Sequence, residues 1–455
     1  MLSSIRPILS LLLGLLFMVM GHGLQMVLIP LRAEGELWST FQIGWLGSVY
    51  YLGFVAGCLG VPHLIRHSGH IRAFMAIAAI ISATMMATPL WVSFVPWLLL
   101  RIVFGFCIAG LYMIIESWLN DRATNSNRGF LMSAYIMVNY AALAIGQFTT
   151  TLYSPLEFSL FAICAISLAL GAVPLALTHQ AQPAPVAAVR FRPLELYRSS
   201  PVGLVGAGFS GLANGAFWSL GAVAAVGTGM SASQAAIFMG LTTAAGAVAQ
   251  WPVGRFSDGM DRRIVLVALL TGGAVFGLLL AFLPVPKEGW FILCLFFGFS
   301  IAPTYSVSAA HAYDHAKPGT MVETVAGLFM ASAIGSIVGP LIAASIMGHL
   351  GPAKLFLYTA VVNGLLAIYV VTRIRSRSAP AKDEKTDFDL AATAPVGGVV
   401  VKEAEGEVLE EAAAAGAAET PVADMEAAGD ALPDEAPGTP SDAVDPSAPP
   451  DGRPV

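Results

Sequence analysis

The stretch FGFCIAGLY at Phe104–Tyr112 returns as FGFSIAPTY at Phe297–Tyr305, 193 residues further along the chain. Six of the nine positions are identical. The same offset pairs glycines in other apolar segments, namely Gly47 with Gly240, Gly53 with Gly246 and Gly146 with Gly339. Composition alone does not keep separate glycines in register. The spacing therefore predicts a chain built from two copies of one structural unit.

The composition is that of a membrane protein. The chain has 455 residues, of which 56% are hydrophobic and only 11% charged, and its mean hydropathy is +0.73. Soluble domains carry about 25% charged residues, so an ordinary soluble protein is excluded. Four cysteines lie in apolar segments at unrelated spacings and predict neither a disulfide framework nor a metal site: Cys58, Cys107, Cys164 and Cys294.

Twelve segments are apolar over the length that a bilayer requires, which is about 20 residues. We number them spans 1 to 12; they cover roughly residues 6–31, 41–65, 72–93, 96–118, 128–153, 157–178, 201–227, 232–255, 263–284, 289–311, 319–348 and 353–374. The polar, basic segment 179–200 is the longest internal connection, and it predicts a cytoplasmic central loop between residues 1–178 and 201–376. The sequence thus predicts an all-α membrane protein with 12 transmembrane helices in two pseudo-symmetric six-helix halves.

The distribution of Lys and Arg predicts the orientation. With the N-terminus in the cytoplasm, fifteen basic residues near the span ends lie inside, and only Arg32, Lys287 and Lys354 lie outside. Short cytoplasmic loops carry the excess of positive charge. We therefore expect both termini in the cytoplasm.

The last part of the chain, residues 377–455, has a different composition. From Ser378 onward it holds 18 of the 29 acidic residues and few large apolar ones. Such a segment buries too little apolar surface to offset the entropy of ordering it. We expect a disordered, acidic, Ala- and Pro-rich cytoplasmic tail.

Two motifs resemble those of the major facilitator superfamily. GRFSDGMDRR, Gly254–Arg263, follows span 8 and is similar to the family's loop signature of glycine, three residues, aspartate and a basic cluster. RIVFGFCIAG, Arg101–Gly110, is similar to the family's Arg-x-x-x-Gly pattern in span 4. The equivalent loop after span 2, PHLIRHSGHIR, keeps Gly69 but has Pro62 and Arg66 where the family usually has Gly and Asp.

A narrower resemblance is to a bacterial inner-membrane branch often called YcaD-like. It rests on IIESWLNDRATNSNRGFLMSAYIMVNY (residues 114–140) and QWPVGRFSD (residues 250–258). The family resemblance implies two six-helix repeats, a multi-pass protein of the bacterial inner membrane, and a central cavity lined by spans 1, 4, 7 and 10. It also implies a transporter rather than an enzyme.

Polar and aromatic residues within the spans are the candidates for the cavity: His22, Gln25, Arg101, Tyr135, Asn139, Asn214, Trp218 and Tyr305. Such groups suit the orientation of a neutral or amphiphilic ligand. Each one alone is equally consistent with a hydrogen bond between helices. Arg101 either extends toward the membrane surface or faces the cavity, where it would bind an anionic group or stabilise a nearby carboxylate.

Three ionisable residues are candidates for proton coupling: Arg101, Glu116 and Glu323. A carboxyl group that is removed from water favours its neutral form and can take up a proton. The alternative for Glu116 is an ion pair with Arg122 or Arg128. The alternative for Glu323 is a helix N-terminal acid that the helix dipole favours.

The loop after span 8 is the candidate gate. Asp258 beside Arg262 and Arg263 can reach a neighbouring helix N-terminus, where the dipole favours an anion, and so hold one state of the transporter. The alternative is that these charges only anchor the loop on the cytoplasmic side. The loop after span 2 lacks the aspartate, and for it we favour the anchor.

No Walker loop, dinucleotide fingerprint, HExxH or paired-cysteine motif is present, so we expect no enzyme, cofactor, metal site or nucleic-acid partner. The leading hypothesis is a secondary transporter of a small solute that works by alternating access, with protons coupled through Glu116 and Arg101. The expected partners are that solute, the lipid bilayer and protons. One alternative is a multidrug or metabolite efflux pump, which the sequence Ile145–Gln147 disfavours because Gly-Pro is expected there. Another is a sensor or scaffold that transports nothing.

Overall fold

The structure, a computed structural model, describes residues 9–122, 128–177, 193–284, 286–316 and 320–376. In these ranges twelve helical spans are long and apolar enough to cross a membrane, and no strand is present, which confirms the predicted fold class. The spans are Leu9–Gly35, Thr40–Ser68, His70–Ala87, Phe94–Arg122, Arg128–Thr149, Ser159–Leu170 with Val173–Ala176, Pro201–Gly227, Ala232–Gly259, Arg262–Phe282, Lys287–Ile301 with Thr304–Tyr313, Met321–Leu350 and Lys354–Ser376. The predicted tail, residues 377–455, lies outside the described residues.

Short connections join spans 1 to 4, spans 7 to 9, and spans 11 and 12. Gly69 alone separates spans 2 and 3, and its φ of +78° lies in the region that glycine adopts without strain. Because the spans alternate in direction, the bundle has two ends. We call the end where span 1 begins the basic face, since the predicted positive connections lie there, and the other end the opposite face.

The first residues of spans 2 and 8 show that the two halves are built alike. Ser39 accepts a hydrogen bond from the backbone N–H of Gln42 at 3.3 Å, and the Gln42 side chain accepts one from the Ser39 N–H at 2.9 Å. Ser231 and Gln234 form the same capping box, at 3.2 and 3.0 Å. Each box satisfies backbone donors that the helix leaves open at its start.

Most of the repeated glycines are sites where two helices cross with their backbones in contact. A Cβ atom would clash with a backbone carbonyl of the neighbouring helix at Gly53, Gly105, Gly146, Gly298 and Gly339, so only glycine fits there without a shift of the helices. At Gly47, Gly240 and Gly246 it would clash with a side chain. Equivalent glycines meet equivalent spans: Gly105 meets Tyr50 of span 2 and Gly298 meets Thr242 of span 8, while Gly146 meets Met20 of span 1 and Gly339 meets Leu212 of span 7. The repeat in the sequence is therefore a repeat of helix crossings.

Span 10 differs from its counterpart, span 4, at one point. Phe94–Arg122 is a continuous helix, whereas span 10 stops at Ile301 and resumes at Thr304. Pro303 stands there in place of Gly110, and proline removes a backbone donor and clashes with the preceding turn. The substitution of one residue in the repeat thus divides this helix.

Part of the predicted central loop is helical. Residues Pro193–Ser199 form a short helix, and Leu196 on it is buried among Ala207, Ala309 and Leu328 of the second half. Leu196 also lies over Gly327, where a larger residue would clash with it. This helix is therefore packed onto the second half, and residues 179–192 of the predicted loop lie outside the described residues.

The two halves pack on each other chiefly through spans 2 and 11 and spans 5 and 8. Toward the opposite face the packing is close, because Gly44 lies against Pro340 and Ala344 without room for a side chain. Toward the basic face the contact is between rings, with the centroids of Phe54 and Phe329 6.0 Å apart. The space between these two contacts is the central cavity.

Candidate functional site

A cavity of about 310 Å³ lies between the halves and is lined by residues from both. This volume is at the lower end of the range for small-molecule sites, which is about 300–1,000 Å³. Five pairs of lining residues occupy positions 193 residues apart, which makes the wall pseudo-symmetric: Tyr50 and Thr243, Tyr112 and Tyr305, Asn139 and Ser332, Tyr140 and Ala333, and Leu143 and Ser336. In four of these pairs the first half carries the larger side chain.

Five of the eight predicted cavity residues line this space: His22, Asn139, Asn214, Trp218 and Tyr305. The other three, Gln25, Arg101 and Tyr135, lie behind the wall. Gln25 and Tyr135 are fully buried, and Arg101 is partly buried. The two asparagines come from different halves, Asn139 from span 5 and Asn214 from span 7.

His22 is held at the cavity wall by two tyrosines. Its Nε2 atom is 2.9 Å from the hydroxyl of Tyr50, and its Nδ1 atom is 3.3 Å from the hydroxyl of Tyr112. In neutral imidazole one ring nitrogen donates and the other accepts. One tyrosine therefore accepts a hydrogen bond from the neutral ring and the other donates one, and the ring is fixed in orientation.

Arg101 lies next to this group, on the side toward the opposite face. Its Nη1 donates to the side-chain oxygen of Gln25, its Nε donates to the carbonyl of Leu46 at 3.3 Å, and its guanidinium lies 4.6 Å from the centroid of the Tyr50 ring. Within the described ranges no carboxylate lies within 4.0 Å of it. It borders a cavity of about 20 Å³, room for about one water, which shares Tyr50 and Trp218 with the central cavity.

Glu116 is buried at the other end of span 4, with 2% of its surface exposed. It accepts a hydrogen bond from the Tyr135 hydroxyl at 2.6 Å. Of its two predicted ion-pair partners, Arg122 instead lies 4.0 Å from Asp121, and the side chain of Arg128 lies outside the described residues. Glu116 is 15 positions from Arg101 on one helix, or about 22 Å along the axis at about 1.5 Å per residue, so the two charges do not touch.

Glu323 lies apart from the central cavity. It borders a separate cavity of about 470 Å³ on the basic face, together with Glu195 and Arg198 of the short helix Pro193–Ser199. The structure thus places the three proton-coupling candidates in three different surroundings.

The predicted gating loop is tied to span 10. Arg262, the first residue of span 9, donates to both carboxylate oxygens of Asp314, at 2.7 and 3.3 Å. Both side chains are almost fully buried. Asp258, in the last turn of span 8, is 3.2 Å from Arg262 and is partly exposed. Asp314 was not predicted as part of this site, because it lies 52 positions from Arg262 in the sequence and contacts it only when the end of span 10 packs against the start of span 9.

The neighbouring arginine makes a different contact. Arg263 donates to the two carboxylate oxygens of Asp261 at 3.1 and 2.8 Å, and Asp261 also accepts from the Arg263 backbone N–H. Burial alone would raise the pKa of the Asp261 carboxyl, but the hydrogen bonds and charge of Arg263 outweigh it and lower the pKa. Asp261 therefore stays ionised at neutral pH and caps the start of span 9.

Sequence reasoning missed several residues of the cavity wall. Tyr50, Tyr112 and Thr243 lie in apolar segments, where their sequence context is that of packing residues. A signal for Tyr112 was available, because it ends the first copy of the repeated stretch as the predicted residue Tyr305 ends the second.

Comparisons with known proteins agree with this architecture. The model of the Major Facilitator Superfamily matches residues 11–333 and 203–409. The chain is similar to MFS-type transporters named YcaD, with 26% identity in Escherichia fergusonii and 28% in Escherichia coli strain UTI89. Each alignment covers 82% of this chain, and 98% and 96% of those relatives respectively.

Solved structures share the fold. The nucleoside transporter NupG superposes with a TM-score of 0.67 at 12% identity, over 81% of this chain and 99% of that one. A bacterial homologue of the human lysosomal transporter Spinster, in an inward-facing and occupied conformation, gives 0.68 at 16% identity, over 83% and 98%. At these identities the likeness concerns the fold.

Proposed function

Because the chain belongs to the major facilitator superfamily, we propose that it is a secondary active transporter that moves a small solute across the membrane by alternating access. The observation that carries the proposal is the cavity of about 310 Å³ between the two halves, lined at equivalent positions of the two repeats. A site on the pseudo-symmetry axis is reached from either side when the halves rock about it.

Two contacts between spans 2 and 11 are suited to act as gates. Toward the opposite face, Gly44 packs on Pro340 and Ala344 at backbone distance. Toward the basic face, the rings of Phe54 and Phe329 meet. Two aromatic side chains can rotate apart more easily than two packed backbones. We therefore propose that this conformation opens toward the basic face, and that this face is cytoplasmic in a bacterial inner membrane because the basic connections lie there.

Proton coupling is the finer part of the proposal. Arg101 and Glu116 are too far apart to interact directly, but Tyr50, His22 and Tyr112 form a hydrogen-bonded group between them. Glu116 is a buried carboxylate one helical turn beyond Tyr112. We propose that Glu116 takes up the proton, and that His22 and its tyrosines transmit the change to the cavity.

The test of alternating access needs no knowledge of the solute. With the four buried native cysteines replaced by alanine, Ser332→Cys places one thiol in the cavity wall. Thr359→Cys is the control, because Thr359 is 1% exposed in span 12 and outside the cavity. A membrane-impermeant thiol reagent is applied to right-side-out and to inside-out vesicles. We expect the thiol in the cavity wall to be labelled from both sides and the control to stay unlabelled; reaction from one side only would favour a sensor or scaffold.

Coupling is tested with the same label. A proton gradient across the vesicle should change the relative labelling rates of Ser332→Cys from the two sides. Adding Glu116→Gln should remove this dependence, and adding Glu323→Gln should leave it, since Glu323 lies in a separate cavity. If Glu323→Gln removes it and Glu116→Gln does not, the assignment to Glu116 is wrong.

A further inference from the structure

The central cavity has a chemical character that narrows its solute. None of its lining residues among the described part of the chain is Asp, Glu, Lys or Arg. Its polar groups are hydroxyls, two carboxamides, an imidazole and an indole, and they alternate with aromatic rings from both halves. A fixed charge placed against such a wall loses water and gains no countercharge, which is costly in a low dielectric.

Two charged residues near the cavity, the partly buried Arg101 and the buried Glu116, do not line it. Arg101 uses its N–H groups on Gln25 and Leu46 and its face on the Tyr50 ring, so that ring stands between it and the cavity. Glu116 is bonded to Tyr135. The positive charge of Arg101 nonetheless repels a cation in the cavity. It attracts an anion, but the wall gives that anion no charged hydrogen-bond donor in place of the water it loses.

One carboxamide provides a sign of a ligand that is independent of charge. Asn139 lines the cavity, and its buried side-chain oxygen has no hydrogen-bond partner in the described part of the chain, so that a rotation of the carboxamide would offer this oxygen to the cavity. A buried polar atom without a partner is costly, and such atoms in native structures call for an explanation. Asn214 lines the same space from the other half. A carboxamide presents a donor and an acceptor side by side, so its natural complement is another amide-type edge.

Building on the proposed function, we propose that the solute is uncharged and carries a flat ring with an amide-type edge. Asn139 and Asn214 form hydrogen bonds to this edge from the two halves. Trp218, Tyr305 and the Phe54–Phe329 pair pack on the ring. Aromatic side chains favour offset or edge contacts with a planar ligand. Hydrogen bonds from both halves would link ligand binding to the relative position of the halves.

The test uses a matched series with one skeleton in three charge states. N-acetyltyrosinamide is neutral, N-acetyltyrosine is an anion and tyrosinamide is a cation at pH 6; nicotinamide and nicotinate form a second, smaller pair. Tm of the purified full-length protein is measured against increasing concentrations of each compound. We expect saturable stabilisation by a neutral amide, with half-saturation at about a tenfold or more lower concentration than for its charged analogues.

Variants assign the effect to the carboxamides. Asn139→Ala and Asn214→Ala should each weaken binding by about two- to tenfold, the loss expected for a hydrogen bond between neutral groups. Asn363→Ala is the control, because Asn363 is also buried in a span but lies outside the cavity, and it should leave binding unchanged. Asn139→Asp introduces a negative charge and should shift the preference toward tyrosinamide.

Three results would overturn the proposal: charged members that bind as tightly as the neutral ones, neutral binding that survives both alanine substitutions, or no stabilisation by any neutral member. The failure of the proposed function would look different. A neutral amide that binds but does not cross the membrane of proteoliposomes would support the inference about the solute and contradict the proposed transport function. Transport of an anion, with no binding of the neutral amides, would contradict the inference and support the transport function.

Discussion

At the scale of single residues, the charges of the basic face are used to fasten helices of the second half together. Arg262 and Asp314 are 1% and 2% exposed, and their carboxylate–guanidinium contact joins the start of span 9 to the end of span 10. Asp258 contacts the same arginine from a partly exposed position. The two contacts should contribute differently to stability, because removal of the buried Asp314 leaves the charge of Arg262 where water cannot reach it.

This difference gives a prediction. Asp314→Asn should destabilise the protein by about 3–5 kcal/mol, the typical cost of breaking a buried ion pair. Asp258→Asn should cost about 0–1 kcal/mol, as for an exposed pair. Thermal unfolding of the two purified variants in the same detergent measures both. An equal loss in the two variants would show that burial does not decide the strength of this contact.

At the scale of helices, the glycines at the crossings set how closely the spans pack. Gly105 and Gly298 occupy the same place in the two repeats, and a Cβ at either would clash with a carbonyl of span 2 or span 8. A packed interior resists added volume, and overpacking costs about 1–3 kcal/mol. Gly364, in span 12, has open space around its Cα.

We predict that Gly105→Ala and Gly298→Ala each lower the Tm, whereas Gly364→Ala raises it slightly or leaves it unchanged. Alanine is favoured over glycine within a helix by about 1 kcal/mol, and only the two crossing sites oppose this gain with a clash. Thermal unfolding of the three variants is the measurement. Unchanged stability of both crossing variants would mean that the spans can separate there without cost.

At the scale of the whole molecule, the halves are held by unlike contacts at the two faces. Gly44 and Ala344 approach closely at the opposite face, and Phe54 and Phe329 meet by their rings on the other side of the cavity. In the proposed alternating access, exchange between conformations breaks the first contact and forms a closer second one. A side chain added at the first contact would therefore disfavour the conformation in which that contact is closed.

This predicts the effect of Gly44→Leu in a chain that is free of native cysteines and carries Ser332→Cys in the cavity wall. Because Gly44 has no room for a side chain, the larger residue should favour opening toward the opposite face and raise labelling of the cavity thiol from that face relative to the basic face. The labelling rates in right-side-out and inside-out vesicles are the measurement. An unchanged ratio of the two rates in a folded variant would contradict the assignment of this contact as a gate.

The sequence predicted the spans well because each must be apolar over a bilayer's thickness. Span 7 was predicted as residues 201–227 and is Pro201–Gly227. The ends of spans 2, 4 and 8 extend past the predicted bounds, because their last turns carry charges that composition assigns to loops. The short helix Pro193–Ser199 was not predicted, since its stability depends on the burial of Leu196 against the second half.

The site was harder to predict than the fold. Polarity within a span marked His22, Asn139 and Asn214, which line the cavity, but it also marked Gln25 and Tyr135, which do not. The polarity of a residue does not reveal which side of its helix faces the cavity. The predicted gating loop after span 8 shows the same limit, because Asp314, the buried partner of Arg262, is 52 positions away in the sequence.

The paired positions of the cavity wall have a consequence for redesign. Repeats of like orientation are related by a half-turn about the membrane normal. If the occupants of each pair were exchanged, for example Tyr140 for Ala333 and Leu143 for Ser336, the pattern of large and small side chains at these positions would be turned through about 180° in the plane of the membrane. The nine lining residues that have no paired position, Asn214 and Trp218 among them, would stay in place. The free space in the cavity would then lie toward the first half instead of the second.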